Sequence, residues 1–205
     1  MIIRKILNIP TKIQFYYYII WNRLKFTLKG VSFGSNLIVY NNMYLEISPK
    51  ANLHIGNNFI FTSGNNINPL CRNIKGCIYI NSNASITIGD NVGISSACLW
   101  AHESITIGNN VKIGGDCILM DSDAHSLNYI ERRDFNKDMT KKINKPIIIE
   151  DDVLIGARSI ILKGVTIGAR SIIGSGSIIT KSIPSDCIAA GNPCKVIKYL
   201  NEDNA

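Results

Sequence analysis

The chain has 205 residues, enough for one well-cored domain and short for two. An apolar content of 46% excludes a disordered chain, and no apolar run reaches the roughly 20 residues needed to cross a bilayer. The formal charge of +7 is uneven: residues 1–30 hold six of the 22 basic side chains and none of the 15 acidic ones. The rest is close to balanced, so the net charge says little about the main site, and nucleic acid is not an expected partner.

Residues 1–30 form a first segment, helix-prone over 1–28, with Phe15, Tyr16, Tyr17, Tyr18 and Trp21 in a basic frame and Pro10 breaking or starting an element. Two readings stay open for it: a helix capping the end of a stacked-repeat domain, or a helix lying on a membrane surface. The basic start has no clean apolar core and no small-residue cleavage site, so a secretory leader is not predicted and a cytoplasmic location is expected, with membrane association on that face as the alternative. Six cysteines show no C-x-x-C pair and no metal-type spacing; they read as free buried thiols in a reducing compartment, Cys98 and Cys117 at small inward positions.

A six-residue period organises the rest. Counting from Ile149 gives Ile149, Ile155, Ile161, Ile167, Ile173 and Ile179, and four residues after each come Val153, Ser159, Val165, Ser171, Ser177 and Ile183. Upstream, Ile55, Phe61 and Ile67 form a weaker set, followed by an interruption near 68–77. Ile88 and Ile94 are then in phase with Trp100 as the next position, and Ile107, Ile113 and Leu119 follow. Residues 122–145 lose the pattern, are polar and charged, and read as a long excursion from the coil. A period of six excludes an amphipathic helix, whose stripe recurs at about 3.6 residues. It suits short parallel strands with β-branched residues inward, stacked into a solenoid because no single unit can bury its own apolar face. The expected organisation is an all-β domain over 31–198 with the excursion inside it, and a tail at 199–205.

The stretch from "IGARSIILKGVTIG" to "AAGNPCKVI" resembles the closing section of the hexapeptide-repeat acetyltransferases, the group containing galactoside, maltose and many capsule or O-antigen O-acetyltransferases. The preceding "MDSDAHSLNYIERRD" is similar to the loop in which those enzymes place a catalytic histidine. The resemblance covers roughly residues 84–198. It implies a left-handed parallel β-helix, homotrimers, and acetyl-CoA lying in the groove between neighbouring prisms, with no metal required. It also implies acetyl transfer to a sugar, in a cell-surface polysaccharide or its precursor. N-acetylation of an amino-sugar nucleotide and a non-catalytic β-helix scaffold are the alternatives. A β-helical carbonic anhydrase would need three zinc-binding histidines, and the contexts of His54, His102 and His125 do not match that arrangement.

Acyl transfer from a thioester needs a base, oxyanion donors and a groove that aligns two substrates. His125, in "DSDAHS" directly after an in-phase coil, is the candidate base. Asp121 and Asp123 are both close enough in sequence to orient its ring, and Asp123 is the expected partner. The resemblance places Lys181 and Lys195 near the phosphates of coenzyme A, Ala157 and Ser175 at coil corners whose backbone holds the pantetheine arm, and Lys163 along the groove. Trp100 is a candidate platform for a sugar ring, His102 lies about one coil from the base, and Arg132 with Arg133 would face a charged acceptor. Leu154 stands where many relatives carry tryptophan, so one wall of the cofactor channel differs.

Overall fold

The computed structural model describes residues 9–64 and 67–200. Helix α1 (Ile9–Leu28) is followed by six stacked three-sided coils. The first is β1 (Ser32–Phe33), β2 (Ile38–Tyr40) and β3 (Tyr44–Ile47), and the second is β4 (Asn52–Ile55), β5 (Ile60–Thr62) and β6 (Cys77–Ile80). The third is β7 (Ser85–Ile88), β8 (Gly93–Ser95) and β9 (Cys98–Ala101). The fourth is β10 (Ser104–Ile107), β11 (Lys112–Ile113) and β12 (Ile118–Met120). After the excursion come β13 (Ile147–Ile149), β14 (Leu154–Ile155) and β15 (Ile160–Leu162), then β16 (Thr166–Ile167), β17 (Ile172–Ile173) and β18 (Ile178–Ile179). Strand β19 (Cys187–Ala190) adds parallel to β17, and β20 (Lys195–Tyr199) turns back antiparallel to end the stack. The result is a left-handed parallel β-helix.

Pairing between coils is parallel and in register, so each inward residue sits on its equivalent. One column runs Phe33, Ile55, Ile88, Ile107, Ile149, Ile167. A second runs Val39, Phe61, Ile94, Ile113, Ile155, Ile173, and the third Leu45, Ile78, Leu99, Leu119, Ile161, Ile179. Nearly all are fully buried. One corner is a ladder of left-handed residues, Asn36, Asn58, Asn91, Asn110 and Asp152, with φ between 56° and 60°. Their side chains bond one to the next at 2.8–3.0 Å. Asparagine tolerates that conformation better than most residues, and stacking lets each side chain satisfy its neighbour.

Three expectations of the period need correction. Leu99, not Trp100, occupies the third column. The corner after β8 is one residue shorter than its neighbours, so Ala97 takes the small inward position stacked on Cys117 while Cys98 and Trp100 face outward. Ile67 lies outside the coil: the third side of the second coil is β6, and Ile78 fills that core position. A 3-10 turn, Pro69–Cys71, stands in the interruption and buries Cys71. The cysteines Cys71, Cys77, Cys98, Cys117, Cys187 and Cys194 are all free thiols.

Helix α1 lies along the first coil. Phe26 and Asn22 are fully buried, Asn22 Nδ2 donates to the carbonyls of Val39 and Asn41 at 3.0 and 2.8 Å, and Lys25 Nζ donates to Met43 O at 2.9 Å. These bonds satisfy carbonyls next to β2, an edge strand that would otherwise present unpaired groups. Residues 1–8 of the N-terminal segment and 201–205 of the expected tail lie outside the described residues, and Tyr199 belongs to β20 rather than to that tail.

Because the columns are dry and in register, a cavity opened in one coil is felt by the coils on both sides. Ile167→Ala is expected to cost about 2–5 kcal/mol, read as a lowered thermal midpoint by circular dichroism; an unchanged midpoint would show that the column does not hold the stack together.

Candidate active site

The excursion leaves the fourth coil after β12 and returns at β13, a single coil spacing away. Its two stalks are therefore clamped together: Ser122 and Asn144 form an antiparallel bridge, Asp123 N donates to Ile143 O at 3.0 Å, and Lys145 N donates to Asp121 O at 2.9 Å. The carboxylate of Asp121 is wholly buried and accepts the backbone N–H groups of His102 and Glu103 at 2.6 and 2.8 Å. Burial pushes its pKa up, against those bonds. Asp121 thus pins the root of the excursion to the coil below.

Above this root the chain turns at Ala124, in the left-handed region with φ 63°, its N–H bonded to Ser122 Oγ at 2.9 Å. The turn puts His125 outward with 63% of its side chain exposed. Its Nδ1 lies 2.7 Å from Asp138 Oδ2. Asp138, 9% exposed in its side chain, sits on helix α2 (Phe135–Lys141), which Asp134 caps by accepting from Lys137 N at 2.9 Å. The other oxygen of Asp138 accepts from Ser126 N at 2.7 Å. The hydrogen bond to His125, then that of Ser126, holds the Asp138 carboxyl below the usual range, so it is an anion at neutral pH. An anionic carboxylate on Nδ1 fixes the proton there and leaves Nε2 with its lone pair outward. That is the tautomer a general base requires.

The partner of His125 is therefore Asp138 and not Asp123, as the sequence spacing suggested. Asp123 faces the coil instead, where its Oδ1 meets Lys163 Nζ at 2.8 Å in a largely enclosed pair. Asp138 lies among Glu131, Asp134 and other polar residues of the excursion, and nothing in the spacing marks it; only the fold of α2 back over Ser126 selects it. Arg132 is also engaged in the loop itself, donating from Nη1 to Ser126 O at 2.7 Å, and Ser126 Oγ is hydrogen-bonded to Glu131. Arg133 stacks on Tyr129 at 5.4 Å.

On the outer face of the sheet containing β6, β9 and β12, Tyr79, Trp100 and His102 form a continuous aromatic surface, with ring centroids 5.8 and 4.9 Å apart. Asn81 Nδ2 and Lys142 Nζ lie 2.9 and 3.1 Å from His102 Nδ1. Both are donors, so Nδ1 accepts and Nε2 carries the hydrogen. Burial, then the charge of Lys142, pushes the His102 pKa down to about 4. Trp100 Nε1 and His102 Nε2 are buried with no hydrogen-bond partner among the described residues. Two histidines about one coil apart in sequence are thus prepared differently: His125 with an exposed lone pair on an anionic support, His102 as an enclosed, neutral N–H. His54, the third, is exposed on the outer face of β4, with Nδ1 at 3.3 Å from Ser32 Oγ.

Of the residues expected along a cofactor groove, Ala157, Lys163 and Ser175 sit on the last two coils, Lys181 just after β18 and Lys195 at the start of β20. Ala157 and Ser175 stack at one corner; Gly176 N bonds to Ala157 O at 2.8 Å, and a Cβ on Gly156 would collide with the backbone of Ser175. That corner needs glycine because the chains pass in contact. Lys181 and Lys195 are exposed, and Leu154 is 45% exposed on the outer face of β14. Among the described residues, no cluster of three or more His, Cys, Asp or Glu side chains has the arrangement of a metal site.

The two titrating supports both lose their contribution as pH falls, but in different windows. His102 has a lowered folded pKa, so its contribution to stability is complete above about pH 6.5 and is lost as pH falls from there through about 4. His102→Gln is expected to flatten that part of a plot of thermal midpoint against pH; an unchanged slope would exclude His102 as its source. Asp138 has a lowered folded pKa too, but as an acid, so its contribution holds above the ordinary carboxylate range and is lost below roughly pH 4.

The match to proteins of known class begins in the coils. Residues 146–181 match the family model described as the hexapeptide repeat of succinyl-transferase. A 57-residue segment is 53% identical to 2,3,4,5-tetrahydropyridine-2,6-dicarboxylate N-acetyltransferase of Staphylococcus aureus (strain Newman). That segment is 28% of this chain and 24% of the relative, so the chain is matched over about a quarter of the curated relative's length. Among solved structures, a hexapeptide-repeat-containing acetyltransferase from Vibrio cholerae is 29% identical, with 78% of this chain and 74% of that one covered, at a TM-score of 0.54. The Bacillus cereus N-acyltransferase AntD, solved with dTDP and coenzyme A, shares the fold at 20% identity, 87% and 89% coverage and a TM-score of 0.62. With its period of six and its three in-register columns, the chain resembles the hexapeptide-repeat proteins, whose repeat model matches residues 146–181 and whose solved members include acetyltransferases.

Proposed function

We propose that the protein is an acetyl-CoA-dependent O-acetyltransferase acting on a sugar, in a cell-surface polysaccharide or its precursor, with His125 as general base. The observation that carries this reading is the imidazole of His125, outward on a clamped loop, with Nδ1 held by anionic Asp138 and Nε2 free. The acceptor hydroxyl gives its proton to Nε2 as its oxygen attacks the thioester carbonyl. The tetrahedral oxyanion then collapses, the carbon–sulfur bond breaks, and the imidazolium returns the proton to the departing thiolate. Asp138 acts through His125, holding the tautomer and stabilising the imidazolium, and needs no contact with substrate.

Coenzyme A would lie along the last two coils, its pantetheine arm against the backbone at Ala157 and Ser175 and its phosphates near Lys181 and Lys195. Lys163 is paired with Asp123, so its reach toward the cofactor competes with that ion pair. Trp100 and His102 would face the acceptor, Trp100 as a surface for a sugar ring. The groove is completed by a second subunit in a homotrimer. Outward apolar residues on flat strand faces, Ile118, Ile148 and Leu154 among them, are the kind of surface such packing covers.

N-acetylation of an amino-sugar nucleotide is the second reading. It is favoured by the 53% identity of one segment to an N-acetyltransferase and by the shared fold with an N-acyltransferase that binds dTDP. The same base serves an amine acceptor, so the acceptor panel decides between them. A non-catalytic scaffold would have no use for the carboxylate on His125.

Purified protein incubated with acetyl-CoA and a panel of sugars, amino-sugar nucleotides and surface glycans is expected to release free thiol with one acceptor class. His125→Ala should lower that rate by about 10²- to 10⁴-fold. Asp138→Asn should lower kcat rather than raise KM and should change the pH profile, because it alters the tautomer and not the binding surface. Absence of thiol release with every acceptor, together with absence of acetyl-CoA binding by calorimetry, would overturn the reading. A monomer by light scattering would remove the shared groove.

A further inference from the structure

Helix α1 carries two faces with different surroundings. Phe15, Tyr18, Ile19, Asn22 and Phe26 face the first coil, Asn22 and Phe26 fully buried there and Phe15 edge-on to Tyr40 at 5.6 Å. The opposite face is Ile13, Tyr16, Tyr17, Ile20, Leu24 and Leu28, each between 47% and 75% exposed. At 3.6 residues per turn these six and Trp21 fall within about 140° of arc. The hydrogen bonds of Asn22 and Lys25 to the coil backbone fix the rotation of the helix, so this stripe cannot turn inward. A soluble domain rarely holds so much contiguous apolar surface outward without something to cover it.

The charges beside the stripe identify the cover. No Asp or Glu occurs in α1. Lys12 and Arg23 lie along one edge of the arc and Lys25 along the other, the places from which long basic side chains reach phosphate while the apolar face is submerged. At the Lys25 edge a pocket of 280 Å³ is lined by Trp21, Tyr44 and Lys75, with Lys25 on its wall and held by Met43 O, which places the Lys75 ammonium beside two amphipathic rings. Tyrosine and tryptophan are also the residues that favour a bilayer interface. Two copies of the helix packed stripe to stripe would bring only like charges together, which disfavours a second copy as the cover. No helix among the described residues is long and apolar enough to cross a membrane, so α1 would lie in the interface plane.

We infer that α1 docks the protein on an anionic membrane surface, its apolar stripe in the headgroup–acyl boundary and its flanking cations on lipid phosphates. This is independent of the acyl-transfer reading. The full chain is expected to sediment with vesicles of phosphatidylcholine and phosphatidylglycerol, less with phosphatidylcholine alone, and less again as salt rises. Ile20→Glu should lower partition by about tenfold or more, and Lys12→Glu with Arg23→Glu should remove the preference for anionic lipid. Both changes are on exposed positions, and unchanged circular dichroism would show that the coil remains folded. Absence of sedimentation with either vesicle, or partition unaffected by Ile20→Glu, would overturn the proposal. So would loss of the oligomer in light scattering on Ile20→Glu without vesicle binding by the parent chain, which would make the stripe a contact between copies.

Discussion

The structure depends on register between coils. Parallel strands stack at about 4.8 Å, and that spacing makes each inward isoleucine the floor of the one above it and the ceiling of the one below. The same spacing forces any excursion to leave and return within one coil. A loop of residues 122–145 would be a mobile appendage if its ends were free. Here the Ser122–Asn144 bridge and the bond from Lys145 N to Asp121 O close it at the root, and Asp121 transmits the register of the coil at His102 and Glu103 to that root. His125 is thereby held in a fixed relation to the coils.

A repeat is legible wherever each unit obeys the same local rule. The isoleucines from Ile149 to Ile179 lie in three columns because the corners between them have equal length. The reading slips where a corner differs. The turn after β8 lacks one residue, and counting by six then assigns the core to Trp100 when Leu99 holds it. In the second coil the count runs into an insertion before the third strand, so Ile67 takes the number while Ile78 takes the place. Neither error shows in composition, because an outward tryptophan and an inward leucine are both apolar. What separates them is the length of a bend, and bend length is a property of the backbone.

The site was less legible than the coil for a related reason. Proximity along the chain favours Asp123 for a residue at 125, and the turn at Ala124 undoes that proximity by sending the two side chains to different sides. Asp123 goes to Lys163 on the coil, while His125 points outward to meet a helix that returns from thirteen residues later. The choice of Asp138 rests on a short helix with its own cap at Asp134, on Ser126 N sharing the carboxylate, and on Arg132 holding the Ser126 carbonyl. Each of these contacts is ordinary in sequence, and none repeats, so no period could reveal it. Arg132 shows the same limit from the other side, since a basic residue in a loop reads as a ligand contact until its own loop is seen to use it.

The contrast between the two environments explains why the histidines are not interchangeable. His102 lies against Trp100, accepts from Asn81 and Lys142, and is held neutral by burial and by a neighbouring cation. A proton arriving there would face desolvation and like charge together, so it is unsuited to act as a base. His125 is exposed on one side and has the Asp138 carboxylate against Nδ1 on the other. The chain thus uses the excursion twice, bringing Lys142 down onto the His102 imidazole, which burial also keeps uncharged, and Asp138 onto Nδ1 of His125. A loop of uniform polarity in sequence becomes, once its root is clamped, the source of two different surroundings for two identical side chains.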